Sequence, residues 1–108
     1  YSDIDKKEWS SEFKQKSKDA YVRFEKEGIY LSVHALSRLP RLNKPGYPSI
    51  EESDVLTIVR GNPNYSEGES KLIFFDLGKQ LVVVKNKETD DIVSIVRRKM
   101  PKEVWERV

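Results

Sequence analysis

The sequence predicts an α+β fold in which N-terminal helices pack on one face of an antiparallel β-meander. In three stretches between residues 5 and 60, apolar side chains recur every three or four positions, which is the spacing typical of helices. From Lys71 onward they occur in short runs rich in valine, isoleucine and phenylalanine, which favour strands. The connections between these runs are short, and short connections join antiparallel strands.

The longest predicted helix covers residues 5–27. Five residues at steps of three and four form one apolar stripe along it: Trp9, Phe13, Ser17, Ala20 and Phe24. Gly28 supplies the stop, because glycine readily adopts the left-handed backbone that ends many helices. The many lysines on the other faces of this helix predict a solvated surface.

Two shorter helices are predicted after it. The first follows Ser32, a good N-cap residue, and ends at Pro40, which lacks a backbone donor and clashes with the preceding turn. The second opens at Ser49, which forms a capping-box pattern with Glu52, and closes at Gly61. We expect both helices to pack on the sheet.

Three strands are predicted, at residues 71–76, 80–85 and 92–98. The polar stretch 62–70 before them is predicted to form turns. A last helical turn is predicted over residues 102–108, because a proline precedes it. The strands would then form a three-stranded antiparallel meander.

Composition limits the chemistry that the chain can perform. We expect its 108 residues to form one domain, with an N-terminal helix at residues 1–27 and a core at residues 28–108. The absence of cysteine excludes a thiol nucleophile and cysteine-ligated zinc, and a single histidine argues against a histidine-rich metal site. The net charge of +2 predicts that a nucleic acid would be held by a local basic patch, and an acidic protein partner fits the same balance. No apolar run is long enough for membrane insertion.

His34 is the first candidate for catalysis, because it is the only histidine. In the first turn of its helix, unpaired backbone N–H groups disfavour the imidazolium and favour a bound anion. A neutral imidazole beside an anion is what a general base requires. Arg38 lies one turn further on the same face and offers a cationic fork. In the alternative interpretation, His34 lies at the edge of the core and Arg38 is solvated.

Ser94 is the second candidate, because it interrupts an apolar run in the third strand. Alternation places it on one face with Ile92 and Val96, and places Val93 and Ile95 on the other. A hydroxyl in this position could orient a substrate. A buried serine that bonds a backbone carbonyl is an equally good explanation.

Basic residues concentrate at the strand ends and in the proline-rich loop at residues 41–48. Arg97, at the end of the third strand, is expected to clamp a phosphate. Six further residues are expected to contact RNA: Arg41, Lys44, Tyr47, Lys71, Lys85 and Arg98. Lys79 would add to the same cationic surface.

This set of residues suits metal-independent cleavage of RNA without a cofactor. A base takes the proton of the 2′-OH, cations neutralise the charge on the phosphate, and a second donor protonates the leaving oxygen. The residues alone do not identify the partner of His34 in this acid–base pair. Two alternatives remain open: a non-catalytic module that binds RNA or protein, and a metal-dependent nuclease that uses Glu69 and Lys71 with Asp54.

Three stretches together resemble a known family. A Ser-x-His-Ala helix followed by arginines, the segment SIEESDVLTIVRGN and a meander ending in DIVSIVRRK are similar to the small toxin nucleases of the barnase, EndoU, colicin and RelE-like (BECR) fold. Within that group the chain most resembles C-terminal toxin domains of contact-dependent growth inhibition and related polymorphic toxin proteins. The resemblance covers about Gly28 to Lys99.

The resemblance implies an endoribonuclease toxin, most often acting on tRNA, and it implies roles for four residues. The family's helix histidine falls on His34, its last-strand threonine or serine on Ser94, and its clamp arginines on Arg38 and Arg97. Related sequences often carry threonine and tyrosine around that strand, where this chain has Ser94 and Val96.

The resemblance also implies a route and a partner. The domain would be delivered as the tail of a larger surface protein, act in the target-cell cytoplasm and be neutralised by a cognate immunity protein with an acidic surface. The first residue, Tyr1, is not methionine, which agrees with a toxin tail cut from a longer polypeptide.

Overall fold

The helices lie in the N-terminal half of the chain and the strands follow, so the predicted α+β class is confirmed. The computed structural model describes residues 2–108. Its helices are α1 (Ser2–Asp5), α2 (Ser11–Lys26), α3 (Val33–Arg38) and α4 (Glu52–Arg60), with a 3₁₀ segment at Leu39–Arg41 after α3. Its strands are β1 (Tyr65–Glu67), β2 (Lys71–Asp76), β3 (Leu81–Asn86), β4 (Ile92–Arg97) and β5 (Glu106–Arg107).

The strands form one antiparallel sheet in the order β4-β3-β2-β1-β5. The predicted meander is present as β2, β3 and β4. Two further strands extend it, because Tyr65 pairs with Ile73 of β2 and with Arg107 of β5. The predicted turn at residues 62–70 and the predicted helical turn at 102–108 are therefore wrong in part. Strands of three and two residues are too short to show a period in the sequence, and they form because β1 pairs with β2 and β5 pairs with β1.

The helix predicted at residues 5–27 is divided. The hydroxyl of Ser10 accepts a hydrogen bond from the backbone N–H of Phe13 at 3.1 Å and caps α2. Trp9 precedes this cap, and its ring centroid lies 4.7 Å from that of Phe13 in an edge-on contact. The apolar stripe therefore continues across the start of α2, where Ser10 caps the helix and separates it from α1.

The start of α4 also differs from the prediction. Glu51, not Ser49, is the N-cap residue, and its backbone N–H donates to Oδ2 of Asp54 at 2.7 Å. A carboxylate three residues inside the helix satisfies this donor as a capping box does. The cap predicted at Ser32 is confirmed, since its hydroxyl accepts from the N–H of Ala35 at 3.1 Å.

The two faces of the sheet have different surroundings. One face joins the helices in the main core, whose buried members include Phe24, Leu36, Val55, Phe74, Val83 and Ile95. The opposite face carries a smaller cluster formed by Ile73, Phe75, Val82 and Trp105. Every buried member of this smaller cluster comes from the strands or the segment before β5, so among residues 2–108 this face has no helix packed on it.

Candidate functional site

An open cleft of about 460 Å³ lies on the sheet face that the helices leave uncovered. Polar side chains line it: His34, Glu67, Ser70, Lys71, Asn86, Ser94 and Lys102. Apolar side chains and one indole complete its lining: Ile73, Val82, Val84, Val93, Val96 and Trp105. We call this the sheet cleft.

Strand register explains why polar residues from distant parts of the chain meet there. Glu67 pairs with Lys71, and Lys71 pairs with Asn86, so three adjacent strands each present a polar residue at one level. Val84 pairs with Ser94 at the next level of the same face. Adjacent strands lie about 4.8 Å apart, which places Glu67 about 10 Å from Asn86 across the cleft.

A β-bulge in β4 changes which residues share a face with Ser94. The register between β3 and β4 shifts by one residue at Val93. Because of the extra residue, Ile92 and Ile95 both join the core under the helices, whereas Ser94 lines the sheet cleft. The prediction that Ile92 shares a face with Ser94 is wrong, because simple alternation contains no bulge.

The hydroxyl of Ser94 is available to a ligand. The residue is half-buried, and within residues 2–108 its hydroxyl forms no hydrogen bond. The alternative interpretation, in which Ser94 bonds a backbone carbonyl, is therefore wrong. The structure leaves a free donor and acceptor in the cleft.

His34 stands exposed at the edge of the sheet cleft, in the first turn of α3. Ser32 holds this helix against β4 in two ways: its hydroxyl caps α3 and also donates to the carbonyl of Val93 at 3.1 Å. The N-cap and the bulge are thus joined by one side chain. As a result, His34 and Ser94 line the same cleft, as the sequence predicts.

Glu67 is the acidic group in the sheet cleft, and sequence reasoning missed it. The indole Nε1 of Trp105 donates to Oε1 of Glu67 at 2.8 Å. The Nζ atoms of Lys71 and Lys102 lie 3.7 and 4.0 Å from the same carboxylate, which is 28% exposed. Nothing in the local pattern distinguishes Glu67 from other acidic residues, because the pairing of β1 with β2 and β5 creates its surroundings.

Arg97 lies outside the sheet cleft and is 7% exposed. Its guanidinium donates to four backbone carbonyls, at distances of 2.6 to 3.1 Å: those of Leu42, Pro48, Lys79 and Gln80. Burial lowers the pKa of Arg97 from its ordinary value. Four of the five N–H donors of the guanidinium are used by these carbonyls, and the buried side chain ties the loop after α3 to the end of the sheet, so it is not positioned as a phosphate clamp.

The loop at residues 41–48 likewise lies away from the cleft. The ring of Tyr47 lies close to two cations, with its centroid 5.0 Å from Cζ of Arg97 and 5.3 Å from Nζ of Lys99. Arg41 and Lys44 are exposed, and neither lines the cleft. The structure does not bring these three predicted RNA contacts to His34.

The three other predicted cations lie at different places in the structure. Arg38 is half-buried on α3, and its guanidinium has no bonded partner in the described part of the chain. Cζ of Arg98 lies 5.8 Å from the ring centroid of Trp105, beside the cleft. Lys85 forms an ion pair with Asp90 at 3.4 Å. Of the six predicted RNA contacts, Lys71 alone lines the sheet cleft.

The residues of the metal-dependent alternative do not converge. Oδ1 of Asp54, in α4, lies 3.6 Å from Nζ of Lys79, and Lys79 is in the turn between β2 and β3. Lys71 is at the opposite end of β2, about 17 Å away. Glu69 is exposed in the turn between β1 and β2. In residues 2–108 there is no group of three histidine, cysteine or acidic side chains that could hold a metal ion.

Comparison with protein-family models, with curated proteins and with solved structures finds no match to this chain. None of the helices in residues 2–108 combines the length and apolar character needed to cross a bilayer. The function is therefore inferred from the sheet cleft and its chemistry.

Proposed function

We propose that this chain is a metal-independent endoribonuclease, in which the 2′-OH of RNA attacks the neighbouring phosphate. One observation supports this most: His34, Glu67, Lys71 and Ser94 line a single open cleft. This reaction requires a proton acceptor, a proton donor and positive charge near the phosphate, and the cleft contains all three.

Glu67 and His34 form the acid–base pair of this proposal. The carboxylate of Glu67 accepts the proton of the 2′-OH. The 2′-oxygen then bonds to phosphorus and the bond from phosphorus to the 5′-oxygen breaks. His34 acts here as the imidazolium beside the anionic phosphate and donates its proton to that leaving oxygen, so the general-base role expected of a neutral His34 passes to Glu67. The products are a 2′,3′-cyclic phosphate and a 5′-hydroxyl.

The cleft lysines supply the positive charge. Lys71 and Lys102 each lie within 4.0 Å of the Glu67 carboxylate, so a phosphate bound beside Glu67 is within reach of both. Charge-assisted contacts of this kind stabilise the charge that grows on the phosphate oxygens. Ser94 donates to a non-bridging oxygen. Arg38 remains in the proposal as a cation one turn from His34.

The biological setting in this proposal rests on the resemblance within residues 28–99. It comprises tRNA as the substrate, a role as the toxin tail of a surface-delivered protein and inhibition by a cognate immunity protein. The requirement for RNA has a chemical basis of its own, because DNA lacks the 2′-OH nucleophile.

The test is incubation of the purified chain with total bacterial RNA in EDTA, followed by sequencing of fragment ends. We expect discrete cuts that leave cyclic phosphate ends. His34→Ala and Glu67→Gln should each lower the rate about 100-fold to 10,000-fold. Glu67→Gln is the sharper variant, because its amide oxygen still accepts from Trp105 while it cannot take the 2′-OH proton.

Glu25→Gln is the matched control, since Glu25 is exposed on α2 away from the cleft, and it should cut at the wild-type rate. Circular dichroism checks that every variant is folded. RNA that is shifted in a gel but stays intact would replace this proposal with the non-catalytic binding module. Cutting that requires a divalent cation would replace it with a metal-dependent nuclease.

A further inference from the structure

We infer that Asn86 makes the sheet cleft select guanine and uracil over adenine and cytosine. The selected base belongs to the nucleotide whose 2′-OH attacks. The inference rests on the proposed ribonuclease function and adds its base specificity. Its basis is an asparagine side chain that the fold restricts to donating hydrogen bonds.

The amide of Asn86 is held in one orientation by the turn between β3 and β4. Its Oδ1 accepts from the backbone N–H of Glu88 at 2.8 Å and from that of Thr89 at 3.1 Å. An amide rotated by half a turn would set its NH₂ group against those two donors. Oδ1 is therefore committed to the turn, and only Nδ2 can serve a ligand.

Asn86 is half-buried and lines the sheet cleft. No residue in the described chain accepts a hydrogen bond from its Nδ2, so its two N–H donors remain unused. Its register partner Lys71 also lines the cleft and can also only donate. This end of the cleft thus presents donors to whatever binds there.

The apolar side chains that line the sheet cleft set the distance between a bound base and these donors. Val84 lies two residues before Asn86 on the same strand face, about 7 Å away, and it also lines the cleft. A planar base that lies on Val84 brings its polar edge to Asn86.

The chemistry of the base edge decides which bases fit. Guanine O6 and uracil O4 accept hydrogen bonds, whereas adenine N6 and cytosine N4 are amino donors. A free asparagine matches adenine because it donates with Nδ2 and accepts with Oδ1. Asn86 has lost that acceptor to the turn. An amino group at this position would meet two donors and leave all of them unsatisfied.

The test uses four DNA oligonucleotides that are identical except for one internal ribonucleotide, G, U, A or C. Only that nucleotide carries a 2′-OH, so each substrate has one cleavable bond. We expect kcat/KM to be at least about tenfold higher at G and U than at A and C. Asn86→Asp keeps an oxygen for the turn and places a second acceptor in the cleft, so the preference should shift to A and C.

Two further variants isolate the effect. Asn86→Ser keeps a hydroxyl acceptor for the turn and lacks the cleft donor, so the preference should disappear. Asn62→Asp makes the same chemical change at an exposed position that does not line the cleft, and its preference should equal that of the wild type. Equal rates at all four bases, or a preference that survives both Asn86 variants, would overturn this inference and leave the ribonuclease proposal intact. Failure to cut any of the four, together with intact total RNA, would overturn the proposed function itself.

Discussion

The indole Nε1 of Trp105 donates a hydrogen bond to Oε1 of Glu67 at 2.8 Å, across 38 residues of sequence. Glu67 ends β1, and Trp105 immediately precedes β5, which pairs with β1. The two shortest strands of the sheet therefore hold the proposed proton acceptor in place. These two strands contribute to the site by orienting the carboxylate of Glu67.

Replacing Trp105 by phenylalanine tests this orientation. Trp105→Phe keeps an aromatic ring beside Tyr65 and Phe75, whose centroids lie 5.7 and 6.2 Å from the indole ring, and removes the donor. We expect kcat on RNA to fall about tenfold with little change in KM, because the bond orients Glu67 and does not bind substrate. Trp105→Phe in the Glu67→Gln background should have little further effect on kcat. An unchanged kcat in the single variant would mean that the indole does not position the carboxylate.

Arg97 should matter for stability and not for RNA contact. Arg97→Ala leaves four backbone carbonyls without their donor, so we expect the free energy of unfolding to fall by about 3 kcal/mol. Arg97→Lys keeps the charge but loses the planar fork, and should cost about half as much. Urea denaturation followed by circular dichroism measures both.

Arg41→Ala is the control for Arg97, because Arg41 is exposed. It should change the free energy of unfolding by less than about 0.5 kcal/mol. If Arg97→Ala is as stable as Arg41→Ala and has lost RNA cleavage, Arg97 acts on the substrate and its structural assignment is wrong.

Replacement by alanine should have different effects at Ser32 and at Ser94: it should lower the stability of the fold at Ser32 and slow RNA cleavage at Ser94. Ser32→Ala removes the cap of α3 and the bond to Val93, and should lower the free energy of unfolding by about 1 to 2 kcal/mol. Ser94→Ala removes a hydroxyl with no partner among the described residues, and should alter stability by less than about 0.5 kcal/mol. RNA cleavage should nevertheless slow several-fold in Ser94→Ala. Unaltered cleavage would remove Ser94 from the proposed site.

The contact between α1 and α2 should weaken in acid. A hydrogen bond from Lys18 lowers the pKa of the Asp5 carboxyl below its usual 3.8, with the two side chains 2.7 Å apart. Because the folded-state pKa is lower than the unfolded one, the stabilisation is present above the unfolded pKa and is lost as pH falls through the folded pKa. The N–H of Lys7 donates to the carbonyl of Ile4 at the end of α1, so the protection factor of the Lys7 amide should fall at low pH before those of the sheet amides do.

Asp5→Asn should lower the protection factor of the Lys7 amide already at neutral pH. Asp3→Asn is the matched control, because Asp3 is exposed and forms no ion pair with another described residue, and it should behave as the wild type. A protection factor at Lys7 that does not change with pH would show that the Asp5 carboxylate does not hold α1.

Much of the fold follows from local pattern. The change of period near Lys71 separates helices from strands, and the predicted strand 71–76 has the observed bounds. Ser32 is identified as a cap because a serine before an apolar helical pattern satisfies a free N–H within three residues. The split between α1 and α2 lies beyond such reasoning, because Trp9 and Phe13 keep helical spacing across it.

In the candidate site, too, some residues can be identified from the sequence and others cannot. His34, Ser94 and Lys71 are identified from the sequence because their residue types stand out in their own segments, and the structure places all three in the sheet cleft. Glu67 and Asn86 are ordinary polar residues in the sequence. Their positions depend on register across three strands and on a turn that commits one amide oxygen.

The sequence by itself determined the α+β class, the central meander and the helix that carries His34, because these depend on interactions between residues close in the chain. Only the folded structure shows that β1 and β5 join the sheet, that a bulge turns Ile92 away from the face of Ser94, and that Arg97 is buried against backbone carbonyls. Each of these outcomes depends on hydrogen bonds between distant segments. The free energy of such bonds is set by register and burial, which local composition does not contain.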